Sequence, residues 1–141
     1  MRVVVILSIL LIGLAACKKK DIKKIEKAVT SGSWKITRFI DSGDDETSSY
    51  ANATFTFTSG GSISMNNGSN SFTGSWSVTK KSKSDDDSDD SDFKFNIALP
   101  TPHESLSDDW HIESYSDSRI NLRDLDDDEP NKSDYLTFEK I

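Results

Sequence analysis

From Thr54 to Thr58 the chain reads Thr-Phe-Thr-Phe-Thr, with an apolar side chain at every second position, and this alternation recurs through to the carboxy terminus. Period two sets one face of a strand on a core and the other in water. Eight short strands are predicted on this pattern. They run from Trp34 to about Ile40, then through Phe55 and Phe57, Ile63 and Met65, and Phe72, Gly74, Trp76 and Val78. The last four carry Phe93, Phe95 and Ile97, then Trp110 and Ile112, then Ile120 and Leu122, then Leu136 and Phe138. All the aromatic residues, three Trp, three Tyr and seven Phe, lie in this part of the chain. The links are rich in turn residues, and all but 41–49 and 79–92 are close to hairpin length. No helix of crossover length separates the strands, so sequential antiparallel neighbours follow. The expected fold class is all-β, an eight-stranded antiparallel up-and-down barrel, since closure removes edges that would invite aggregation.

The amino terminus has a different pattern. Residues 3–16 are an almost unbroken apolar run, preceded by Arg2 and followed at once by Cys17. A membrane-spanning helix needs about 20 apolar residues, and a shorter run with a basic start and a small-residue end fits a cleaved secretory segment better. Cys17 is the sole cysteine, which excludes an intramolecular disulfide framework and any multi-cysteine metal site. After it, Lys18 to Lys27 holds six lysines against Asp21 and Glu26. Ile22 and Ile25, spaced i, i+3, suit a short helix or a solvated tether, and the lysines could rest on anionic headgroups.

Leu14-Ala15-Ala16-Cys17 resembles the lipobox of bacterial lipoproteins. The resemblance implies that Cys17 is lipidated and that the bond between Ala16 and Cys17 is cut. The domain reading is then a lipoprotein signal peptide over 1–16, a lipidated basic tether or short helix over 17–30, and a barrel domain over 31–141. Losing Arg2 takes the net charge from −7 to −8. Gly32-Ser33-Trp34 is similar to the Gly-x-Trp signature of lipocalins. Ala53–Phe57, Thr73–Ser77, Asp108-Asp109-Trp110 and Leu136–Lys140 together resemble lipocalin-like lipoproteins of Bacteroidota. That likeness implies a lipocalin-like barrel and binding of a small apolar molecule.

Eight strands are just wide enough to be filled by their own side chains or to hold one small ligand. With Gly74 and Ala53 the small interior residues, one half is expected to pack solid around Trp34, Trp76, Phe57 and Phe138. Strand direction puts the links 41–49, 66–70, 99–107 and 124–133 at one mouth, where a shallow pocket is the most expected. The candidate ligand-binding residues there are Arg38, Phe72, Trp110, Leu122 and Leu136. Arg38 falls in phase with Trp34 and Ile36 and could offer a bidentate charge to a carboxylate or phosphate. A bulge near Phe39 would instead turn it to solvent.

Other motifs exclude more than they suggest. Asp85, Asp87 and Asp89 have calcium-loop spacing, but Asp90 and Asn96 stand where a glycine and a glutamate are needed, so a solvated loop is expected and no metal. The two histidines, His103 in a proline-containing loop and His111, are both expected at the surface. No nucleophile elbow or phosphate loop occurs, so no enzyme activity and no cofactor are expected. The acidic balance argues against nucleic acid as a partner.

The expected protein is therefore a lipid-anchored cell-envelope lipoprotein whose barrel binds a small hydrophobic or amphipathic molecule at its mouth. The alternative is a non-enzymatic envelope interaction or structural module with a filled barrel. Its expected partners are the membrane, through the lipid on Cys17, a small hydrophobic ligand and an envelope protein. Its expected location is the outer membrane of a Gram-negative bacterium, with periplasmic face or surface left open.

Overall fold

A computed structural model describes residues 14–80 and 93–141, with the side chains of the first helix described from Asp21 onward. The calcium-like spacing at Asp85 to Asp89 and residues 1–13 of the expected signal segment lie outside the described residues. Helix α1 spans Leu14–Val29. The strands are β1 (Trp34–Asp41), β2 (Asp44–Asp45), β3 (Thr54–Phe57), β4 (Ser62–Asn66), β5 (Ser71–Lys80), β6 (Phe93–Ala98), β7 (Asp108–Tyr115), β8 (Arg119–Asp124) and β9 (Asp134–Lys140). β1 pairs antiparallel with β3, each strand from β3 to β9 pairs antiparallel with the next, and β9 pairs back onto β1, so eight strands close into an up-and-down barrel. The ninth, β2, is a two-residue return of β1 through a tight turn in which Ser42 and Gly43 both have positive φ. A two-residue hairpin of that kind matches the twist of the strands it joins.

The interior is filled with aromatic rings. Phe57 meets Trp76, Phe95 and Phe138 edge to face with centroids 5.6, 5.5 and 5.6 Å apart, and Phe138 meets Phe55 at 5.2 Å. Trp34, Phe55, Phe57, Phe95, Trp110 and Phe138 are all essentially inaccessible to solvent. Short helical turns close the mouth. Tyr50, on the 3-10 turn Thr47–Tyr50, packs edge-on against Phe39, and Leu106, on the turn Glu104–Leu106, accepts a 3.0 Å hydrogen bond from Trp110 Nε1 on its carbonyl.

The opposite end is closed by α1. Ile25 and Val29 are fully buried and Ile22 packs against the same core, while Lys23, Lys24 and Lys27 are exposed. Spacing by three and four residues puts the apolar set on one face of the helix. Trp34 Nε1 donates 2.9 Å to the Val29 carbonyl, satisfying an acceptor that the helix end leaves open. The segment that allowed a solvated tether is thus a helix built into the barrel core. No helix among the described residues is long and apolar enough to cross a membrane.

Candidate functional site

All four links expected at the mouth do gather at one end. A cleft of about 250 Å³ opens between Asp41, Glu46 and Tyr50 on one side and Pro102, His103 and Ser105 on the other. A second, of about 360 Å³, lies between Ser48–Ala53 and Asn67–Asn70, and a third, of about 460 Å³, between Ser42 and the acidic link Asp124–Asp128. None reaches into the barrel axis, which the plug of Tyr50, Leu99 and Leu106 covers.

The expected ligand-binding residues do not converge on these clefts. Trp110, Leu122 and Leu136 are at most 1% exposed and belong to the packed core, with none of them lining the three clefts. Arg38 is exposed, with its guanidinium carbon 4.5 Å from the ring centre of Tyr135. The cause is a one-residue slip in the β1–β9 register between Ile36 and Arg38, a bulge that reverses the phase of the strand. Phe39 takes the inward place instead and is 1% exposed. Phe72 is half-buried, its ring edge-on to His103 at 4.6 Å. Ala16 and Cys17 fall within α1, where side chains are not described.

His103 is not the surface residue its loop suggested. Its ring sits between Phe72 and Tyr50, Nδ1 lies 3.4 Å from the Tyr50 hydroxyl, and Nε2 is enclosed with no hydrogen-bond partner among the described residues. Burial raises the Tyr50 hydroxyl above the usual tyrosine pKa. The negative charges of Asp41, Glu104 and Glu46 push the same way, against a hydrogen bond with Ser105. The cleft is therefore a small, negatively biased recess with an aromatic floor. His111 is half-buried, 2.9 Å from Lys94 Nζ.

Sequence spacing missed one cluster altogether. Asp108, Asp124 and Asp134, from β7, β8 and β9, bring carboxylate oxygens within 4.8 Å of one another, and Asp124 stands directly opposite Asp134 across the strands. Burial raises the pKa of both Asp124 and Asp134. At Asp124 the charge of Asp108, a hydrogen bond with Asp108 and the charge of Asp134 add to it, while Lys94 opposes. At Asp134 the hydrogen bond from the Ser42 amide opposes burial, and the charges of Asp41, Asp108 and Asp126 reinforce it.

A carboxyl with a raised pKa binds more protons folded than unfolded. Its ionisation therefore weakens the fold as pH rises from the ordinary carboxylate value through the folded one. Asp124→Asn removes one of these like charges and is expected to stabilise the protein by about 0.5 kcal/mol at neutral pH, the scale of a directly opposed like-charge pair. The gain should fade as pH falls through the folded pKa of the cluster. Urea titrations of both chains at neutral and acid pH check it, and a gain that does not shrink in acid would contradict it.

The geometry defines the class as an antiparallel up-and-down barrel plugged at both ends. A META-domain family model matches residues 27–85, from the end of α1 through β5, which is less than half of the chain. Over that stretch the chain is similar to META domains. A search of curated proteins finds no match.

Proposed function

We propose that the protein is a lipid-anchored, non-enzymatic module of the bacterial cell envelope, attached through Cys17, in which the filled barrel is a rigid scaffold and the mouth loops meet an envelope partner. The packing of Phe57, Trp76, Phe95 and Phe138 carries this reading, because rings in mutual contact inside the barrel leave little room for a ligand among the described residues. Support for the anchor comes from the lipobox-like Leu14–Cys17 at the end of the apolar run and from the similarity to META domains. The barrel has the eight-stranded up-and-down architecture of lipocalins, and the proposed location is the outer membrane.

A second reading has one observation in its favour. The recess around His103, with its enclosed and unpaired Nε2 and the Tyr50 hydroxyl beside it, can seat a small hydrogen-bonding group, though about 250 Å³ is below the usual span of small-molecule sites.

Native mass spectrometry of the detergent-extracted protein separates the two. The scaffold reading expects the mature chain with its acyl groups and nothing further, whereas a stoichiometric extra mass removed by His103→Phe would favour the second. In the same preparation, Cys17→Ala should abolish acyl labelling and release the protein from membranes. A variant that stays labelled would overturn the attachment at Cys17.

A further inference from the structure

We propose that the groove between α1 and the β3–β4 turn seats the headgroup of an anionic phospholipid, so that the barrel stands on the membrane by its helix-capped end with the mouth facing away. This rests on the anchoring at Cys17 proposed above and adds an orientation and a second contact to it. The groove has a volume of about 480 Å³. Lys23 and Lys27 form one wall, one helical turn apart on the same face of α1, and Ser59, Gly60 and Trp76 form the other. Both lysines are exposed, and a side chain on Gly60 would meet nothing within 4 Å, so the space beside the turn is open. Glu26 shares the groove and leaves it with one net positive charge.

The helix that closes this end is the most basic stretch of the chain. Lys18 to Lys27 carries four net positive charges in a chain that is −8 after Ala16, so everything beyond it sums to −12. The mouth carries acids at Asp41, Asp44, Asp45 and Glu46 and in the link from Asp124 to Glu129. Because α1 is continuous from Leu14 to Val29, Lys23 lies about 9 Å and Lys27 about 15 Å along its axis from Cys17. Acyl chains on Cys17 would hold that residue at the edge of the hydrocarbon, with a headgroup layer several ångströms deep beside it. The flexible four-carbon stems of both lysines can then lean back to the phosphates. The acidic run of residues 85–92 opposes this. The link that contains it leaves the barrel at Lys80 and returns at Phe93 on this same end, and charges in water at physiological salt act over about 8 Å.

Lysine acetylation of the lipidated full chain in vesicles, read by mass spectrometry, tests the contact. Phosphatidylcholine vesicles are compared with the same lipid containing about one-third phosphatidylglycerol, at low salt and at about 0.5 M salt. Lys23 and Lys27 are expected to react at least about fivefold more slowly on the anionic vesicles at low salt, equivalent to about 1 kcal/mol per lysine, and to recover at high salt. Lys132, at the mouth, should react equally on both. Equal rates at Lys23 and Lys27 on the two vesicles would overturn the headgroup contact, as would equal slowing on both, which is only the shadow of the anchor. Flotation with the vesicles reads the anchor separately. A chain that floats without protection loses this proposal alone, and a chain that does not float loses the anchor as well.

Discussion

Truncation of Phe57 to alanine is expected to destabilise the protein by about 3–5 kcal/mol, the usual cost of deleting a fully packed phenylalanine. Phe57 is the residue through which three other rings touch, with Trp76, Phe95 and Phe138 all presenting or receiving an edge within 5.6 Å. Each edge-to-face contact is worth about 0.5–1.5 kcal/mol beyond the apolar area it covers, and alanine removes all three together. A small domain has only about 5–15 kcal/mol in total, so the variant should sit near the edge of unfolding. Urea titration should show a lowered midpoint with an unchanged slope, and Phe57→Leu should restore part of the loss. A loss under about 1 kcal/mol would mean that the barrel interior relaxes freely, as a ligand-holding cavity does, and would count against the filled-scaffold reading.

Gly74→Ala is expected to be nearly as damaging, for a different reason. A Cβ at this position would stand 1.9 Å from the Ala98 carbonyl oxygen, 3.0 Å from its carbon and 3.2 Å from Leu99 Cα. All three are backbone atoms, and none can rotate away. The end of β6 would have to lift off β5, carrying with it Leu99 and the turn that holds Leu106 in the mouth. Overpacking of this kind costs about 1–3 kcal/mol, and more where only backbone can yield. Gly60→Ala is the control, since nothing lies within 4 Å of the added atom, and it should change stability by no more than about 0.5 kcal/mol. Thermal melts measure both. Hydrogen exchange should show faster opening of residues 98–106 in Gly74→Ala, and unchanged protection there would contradict the clash as its cause.

Much of the barrel was legible because alternation is a local signal. Phe55 and Phe57, Ile63 and Met65, and Phe93, Phe95 and Ile97 each report their own face at a spacing of two, and hairpin-length links leave little choice of neighbour. The misplacements come from events that alternation cannot register. The slip after Ile36 inverts the phase of β1, so Arg38 goes to solvent and Phe39 to the core. This is the bulge near Phe39 that the sequence left open as the alternative for Arg38. His103 looked like a surface residue because Pro102 and Glu104 flank it, whereas its burial depends on Tyr50, 53 residues away, and on Phe72. The carboxylates of Asp108, Asp124 and Asp134 meet only because three strands of independent register end together.

The sequence by itself determined an all-β chain of sequential antiparallel strands and the gathering of four loops at one end, because each rests on residues close together in the chain. The tertiary structure alone decided that the barrel is plugged at both ends, by α1 below and by Tyr50, Leu99 and Leu106 above. It also decided that Trp110, Leu122 and Leu136 pack as core, and that Lys23 and Lys27 face a groove against the wall of the barrel. Alternation tells a side chain which face it is on. Whether the space it faces is full depends on volumes brought together from strands far apart in sequence, and packing settles that only when the barrel closes.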